Sequence, residues 1–197
     1  SKAPRYSYFV GGSTGGRQGL MEAQRYPDDY DGMISACPAI NWHRFVSGSL
    51  WPEVVMLSMS NYVSKAKLDA ATAAAIAACD TDDGVKDEVI DDPFRCGYDP
   101  KALVGTKIDD DTFTEADAEV VRKIWQGPRT QDGNFMWHGL ERGADMSAYA
   151  GTSGSPLKGR PFSIALDYWI YYLRQNPKWD WTTLTPAAFE LLWRQSV

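Results

Sequence analysis

Ser13 stands in Gly11-Gly12-Ser13-Thr14-Gly15, a Gly-x-Ser-x-Gly pattern in which a sharp turn of small residues holds a serine in a strained, exposed conformation. A serine presented this way serves as a nucleophile that forms a covalent acyl intermediate. The bland alternative is a glycine-rich loop that merely turns the chain or holds a phosphate. The flanks favour the first reading. Arg5 to Val10 is a short run rich in Tyr, Phe and Val, as in a strand, and Gly15 to Arg25 opens a helix with Leu20, Met21 and Ala23.

A second constellation lies between Cys79 and Cys96. Asp80, Asp83 and Asp87 supply carboxylates, and the backbone carbonyls of Val85 and Val89 complete an oxygen cage of the kind calcium takes. It is not an EF-hand: with Gly84 as sixth position, the first would be Cys79 and the twelfth Ile90, neither able to supply a carboxylate. A solvated acidic turn is the competing reading. Cys79 and Cys96 bracket the loop, which admits a disulfide and, with it, an oxidising compartment. No histidine or further cysteine lies near them to build a thiolate metal site.

The elements that must position these groups fall into two parts. Tyr26-Pro27 ends the first helix, and Asp31 to Pro38 reads as a buried strand closed by proline. Strand, helix and strand within this span form the unit from which parallel sheets are wound. From Asn41 the alternation stops: Trp51 to Tyr62 is apolar with Pro52 at its front, and Lys65 to Ala78 is alanine-rich and helix-favouring. The expected division is therefore residues 1–40, part of an α/β core, and residues 41–197, a largely helical insert or lid. Within the latter, Thr114 and Asp117 fit a capping box before the stripe Ala118, Val121, Ile124 and Trp125. Gly151 to Gly159 reads as an exposed loop, and Pro161 to Leu173 as an aromatic helix or strand. Thr185 and Pro186 cap a last helix with stripe Phe189, Leu192 and Trp193.

Composition excludes several classes. With 197 residues, 44% of them hydrophobic, the chain is long enough for a sizeable core. Its net charge of -6, without a basic run, argues against nucleic acid or anionic membrane as partner. There is no apolar stretch of membrane-spanning length and no signal pattern at the start of the chain. The eight tryptophans signal a core first and a flat aromatic surface second.

Taken together, Ser13 to Met21, Gln24 to Pro27, Asp29 to Gly32, Pro38-Ala39 with Asn41-Trp42, the acidic loop, and Pro161-Phe162 through Asn176-Pro177 to Trp179-Asp180 resemble the tannase and feruloyl esterase family of α/β-hydrolases, which includes mono(2-hydroxyethyl) terephthalate hydrolase. The resemblance implies Ser13 as nucleophile, the Thr14 backbone N–H as one oxyanion-hole donor, and calcium held by Asp80, Asp83, Val85, Asp87 and Val89. It further implies a Cys79–Cys96 disulfide, a lid whose aromatic residues suit a phenolic ring, and secretion or periplasmic export. The implied activity is hydrolysis of esters of aromatic acids, with a small-molecule aromatic ester as substrate.

The chain departs from the family in two places. Gly12 stands where a cysteine usually precedes the serine and is tied to a cysteine beside the catalytic histidine. Cys37 replaces a small residue and is expected to be a free, buried thiol. The triad acid and histidine follow the lid in this family, and His43 and His138 precede any such position, so both are expected to be structural. The chain is accordingly expected to be a fragment that needs the remainder of the hydrolase core as its partner. The rival readings are a calcium-stabilised, catalytically incompetent module that binds aromatic ligands, and a plain structural lid.

Overall fold

The computed structural model describes residues 4–196. The chain divides into two compact units, residues 1–45 and 46–197.

In the first unit, strand β1 (Tyr8–Gly12) leads through Ser13 into helix α1 (Thr14–Arg25), and the chain returns as strand β2 (Gly32–Ala36). The strands pair in parallel, from Tyr8 opposite Gly32 to Gly12 opposite Ala36. Asp31 fixes the start of this register: its carboxylate accepts from the Ser7 N–H at 2.7 Å, and its own N–H donates to the Ser7 carbonyl at 2.8 Å. Pairing carries β1 past Val10 to Gly12, further than its run of large side chains. Helix α1 packs close to one sheet face through glycine; a Cβ on Gly19 would lie 3.0 Å from the Phe9 ring.

The other face carries Tyr8, Val10 and Ile34, which are 65%, 70% and 62% exposed. The expectation of a buried strand over Asp31 to Pro38 is thus corrected. Among the described residues the sheet has two strands, and only its α1 face is covered. Parallel strands normally bury both faces, which is why β2 has a buried strand's composition.

Helix α2 (Trp42–Gly48) crosses the division between the units. The second unit then runs through α3 (Trp51–Ser58), α4 (Lys65–Cys79), a short hairpin of β3 (Lys107–Ile108) and β4 (Asp111–Thr112), and α5 (Glu115–Gln126). A second hairpin, β5 (Gly151–Ser153) with β6 (Lys158–Arg160), precedes α6 (Ser163–Asp167), a π-helical turn over Tyr168–Leu173, and α7 (Pro186–Gln195). The hairpin replaces the loop expected over Gly151 to Gly159. The glycine-rich signal there marks its turn, where Gly154 takes φ 88°, and the residues to either side pair antiparallel.

Helix ends are closed as the side chains dictate. Ser64 accepts from Lys67 N–H, Thr185 from Ala188 N–H, and Thr114 with Asp117 forms a reciprocal capping box. The core is built on Leu50, Met56, Leu68, Phe113, Ile124, Trp169 and Phe189, all fully buried. Trp169 stacks on Trp179 at 5.9 Å and on Phe189 at 5.5 Å.

Two buried carboxyl groups organise this unit differently. Asp117 is fully partnered: it accepts from Lys67 at 2.8 Å, Asn61 at 3.0 Å and the Thr114 N–H at 2.8 Å. Burial alone would raise its carboxyl, but these hydrogen bonds outweigh that and hold it below the usual range. Glu53 on α3 is 0% exposed, and neither carboxylate oxygen has a hydrogen-bond partner among the described residues. Gly159 backs directly onto it, with Trp181 and Tyr62 alongside. Burial pushes its carboxyl up to about 8, and nearby Arg160 offsets only part of that.

Glu53 is therefore a neutral acid in the fold near pH 7 and an anion in the unfolded chain above about pH 4.5. Folding retains its proton, so stability is complete below pH 4.5 and is lost as pH rises through 8, by on the order of 3–5 kcal/mol in all. Denaturant melts of the wild type and Glu53→Gln from pH 4 to 9 should show the variant gaining on the wild type as pH rises. A gap that does not change with pH would mean that Glu53 is already ionised in the fold.

Candidate active site

Ser13 is the single residue between β1 and α1. It is exposed, with φ 55° and ψ -114°, a left-handed setting that is strained for a residue with a side chain. It sits where a helix N-cap would be, yet its side chain makes no capping hydrogen bond. A serine at that position ordinarily spends its oxygen on the helix; here the helix does not use it. Thr14 is the first residue of α1, so its N–H is one of the helix donors with no intrahelical acceptor. That donor lies at the positive end of the helix dipole, where developing negative charge is favoured.

The glycines divide the work differently from the motif. A Cβ on Gly11 would strike the Gly15 carbonyl, and one on Gly16 would lie 2.5 Å from the Ala36 carbonyl oxygen and 2.9 Å from Pro38 Cα. Gly12 and Gly15 have open space around them, and neither takes a positive φ. Close approach, rather than backbone freedom, is what requires glycine here, at positions 11 and 16.

In the acidic loop, Asp80 is buried and its Oδ1 accepts from the N–H groups of Asp87 at 3.1 Å and Glu88 at 2.7 Å. Asp83 accepts from Val85 N–H at 2.8 Å, and Asp87 from Val89 N–H at 3.1 Å. Gly84 at φ 92° and Glu88 at φ 67° make the bends. Cys79 and Cys96 are disulfide-bonded across the loop; closing a loop of this length removes roughly 3 kcal/mol of unfolded-state freedom. A cavity of about 450 Å³ beside it is lined by Asp82, Asp83, Asp91, Asp92 and Arg95 among others. Among the described residues no group of three or more His, Cys, Asp or Glu side chains is gathered as a metal cluster. The donor set, a buried Asp80 carboxylate with Asp83, Asp87 and the carbonyls of Val85 and Val89, is all oxygen and fits a hard cation such as calcium by its chemistry.

The histidines occupy different units. His43 is exposed on α2. His138 is exposed among the rings of Phe135, Trp137 and Phe94, 5.1, 5.5 and 6.1 Å away, all edge-on. Cys37 is free as expected but exposed, not buried. The turn that follows β2 directs its side chain outward, with φ 35°. Two features escaped the sequence reading. Glu53 sits buried in an apolar helix, and no local pattern in the sequence marks it. The hydrogen bonds between Ser13 and the turn, its N–H donating to the Ala36 carbonyl and its carbonyl accepting from the Ala39 N–H, are backbone features, marked only by Pro38.

A strand, a tight turn carrying a strained serine, a helix and a parallel strand come in the order that the α/β-hydrolase class requires. Within it the chain belongs to the family described as tannase and feruloyl esterase, whose model matches residues 1–158. It is 38% identical to a "Probable feruloyl esterase" of Arthroderma benhamiae, over 100% of this chain and 38% of that protein. It is 32% identical to a "Probable feruloyl esterase B-2" of Aspergillus flavus, over 95% of this chain and 35% of that protein. Among solved structures, tannin acyl hydrolase from Aspergillus niger superposes with a TM-score of 0.84 at 23% identity, covering 98% of this chain and 38% of that one. Feruloyl esterase B from Aspergillus oryzae gives 0.73 at 27% identity, covering 97% and 39%. The chain thus spans 35–39% of the length of these relatives.

The glycine geometry predicts opposite outcomes at neighbouring positions. Gly11→Ala should destabilise the protein by about 1–3 kcal/mol, whereas Gly12→Ala should stay within about 0.5 kcal/mol. Chemical denaturation of both variants tests this, and equal losses would contradict it.

Proposed function

We propose that this chain supplies the nucleophile and the lid of a carboxylic ester hydrolase acting on esters of aromatic, phenolic acids. The observation that carries the reading is Ser13: strained, exposed, and with a hydroxyl its own helix does not use. Family membership supports the ester-hydrolase class. Ser13 Oγ attacks the ester carbonyl as a base takes its proton. The tetrahedral oxyanion accepts from the Thr14 N–H and from a second donor. The bond to the alkoxy group then breaks, the alcohol departs with a proton, and water releases the acid from the acyl-enzyme. The acid and histidine of the triad come from outside these residues, as does the second oxyanion donor. The remainder of a hydrolase core is therefore the partner of this chain, and the open face of Tyr8, Val10 and Ile34 suits such cover. Residues 1–40 form the core portion in this reading and residues 41–197 the lid.

Calcium in the loop of Asp80, Asp83, Val85, Asp87 and Val89 is a structural cation that holds the lid. The Cys79–Cys96 disulfide supports a secreted or periplasmic setting.

The full-length protein should hydrolyse a chromogenic aromatic-acid ester, and Ser13→Ala should lower kcat by at least about a thousandfold. The 197-residue chain alone should show almost no turnover. Binding of feruloyl or galloyl compounds without turnover by the full-length protein would favour a binding module. Turnover that survives Ser13→Ala would overturn the role of Ser13. For the metal, a chelator should lower the melting temperature; occupancy at a hundred times Kd is worth about 2.7 kcal/mol. Asp80→Asn should abolish the chelator response, and a wild-type curve indifferent to chelator would refute the site.

A further inference from the structure

We propose that the turn from Ala36 to Ala39, at the exit of β2, is the clamp that sets the conformation of Ser13, with Cys37 a positioning residue through its backbone rather than its thiol. The inference rests on Ser13 being the nucleophile.

Both backbone polar groups of Ser13 are held by this turn. The Ser13 N–H donates to the Ala36 carbonyl at 3.1 Å, and the Ser13 carbonyl accepts from the Ala39 N–H at 3.0 Å as well as from Arg17 N–H at 3.1 Å. The two hydrogen bonds straddle Cys37 and Pro38, so the chain must reverse within those two residues for both to reach Ser13. Pro38 has a fixed φ and no N–H, which leaves Ala39 as the next donor.

Cys37 makes the reversal at φ 35°. The residue before a proline is ordinarily driven to extended backbone, so this left-handed setting has to be imposed. Its side chain does not explain it, since the thiol is exposed and forms no disulfide. The backbone is what the site uses. The turn is also fastened to α1: Gly16 abuts the Ala36 carbonyl and Pro38, and Ser35 Oγ donates to the Gly16 carbonyl.

A strained residue keeps its conformation only where its surroundings over-determine it. Here Ser13 at φ 55° is met by a turn whose own left-handed residue, Cys37 at φ 35°, lies between the two groups that hold it, Ala36 and Ala39. Relaxing Cys37 would release one or both hydrogen bonds and let Ser13 Oγ drift. Displacements near 1 Å cost about a hundredfold in rate when attack geometry is at stake.

The test is a substitution series at Cys37 in the full-length protein, read as kcat, KM and the rate of phosphonylation by a p-nitrophenyl alkylphosphonate. As left-handed backbone becomes costlier, kcat and the phosphonylation rate should fall in the order Gly, Asn, Ala, Val. Val should lie at least about tenfold below Gly, with KM within about twofold throughout. A drop of similar size in all four variants would assign the effect to the thiol and overturn the clamp, as would a folded Cys37→Val variant with undiminished kcat. Should Cys37→Val fail to fold, Pro38→Gly loosens the turn without adding bulk; it should lower kcat about threefold at unchanged KM, and an unaltered kcat would overturn the proposal. Ser13→Ala separates the two readings. If that variant is still phosphonylated at the wild-type rate, the nucleophile assignment fails. If it is not, and the Cys37 series is flat, the clamp alone fails.

Discussion

The first turn of α1 lies against the end of β2 so closely that Gly16 has no room for a methyl group beside the Ala36 carbonyl. This approach constrains everything around the serine. It brings the end of β2 to Ser13, where two hydrogen bonds meet one residue, and it demands glycine at position 16, as the Gly15 carbonyl does at position 11, although neither takes a positive φ. The strain at Ser13 is local, but what sustains it comes from a strand more than twenty residues along the chain. A serine held this way is positioned by backbone, which reorganises less than side chains do.

The second unit rests on the opposite device, polar groups deep in an apolar interior. Asp117 is stabilised by three donors from three segments, Asn61, Lys67 and Thr114, and so ties α4 and the residues after α3 to the cap of α5. Removing one partner would leave a buried charge uncompensated, a far larger loss than any gain from the pair itself. The carboxylate oxygens of Glu53 have no hydrogen-bond partner among the described residues, and the group keeps its proton instead, the cheaper outcome where the charge of nearby Arg160 offsets only part of the cost of burial. The two acids show both answers to one problem within a single unit.

Much of this was legible in the sequence, and what was not has a common cause. Local rules gave helices α4 and α5 nearly to the residue and the start of α7, because the alanine run marks the first, Thr114 and Gly127 bound the second, and Thr185 caps the third. The Gly-x-Ser-x-Gly turn was legible for the same reason: strand, turn and helix are contiguous. Errors arose where the answer depends on residues distant in sequence. The hairpin from Gly151 to Arg160 looked like loop because its pairing is between two three-residue strands with no alternation to read. Cys37 looked buried because its apolar neighbours suggested a strand interior, whereas the turn carries it outward. Glu53 carried no signal of its own, because nothing local marks a carboxylate in an apolar helix that is buried on nearly every face.

The open face of the two-stranded sheet connects these points to the chemistry. Tyr8, Val10 and Ile34 are residues of a strand interior, and two parallel strands with one helix bury too little apolar surface to stand alone. The clamp at Ser13 does not rely on that face: its hydrogen bonds and glycine contacts lie at the end of the strands and on the α1 side. The conformation of the serine and the cover of the sheet are therefore separable. The first is specified within residues 11–39 by close approach and backbone hydrogen bonding. The second is a matter of apolar area, which any well-packed layer on that face would satisfy, so the backbone of Ser13 is fixed by the turn, whereas the stability that preserves it depends on what covers the strands.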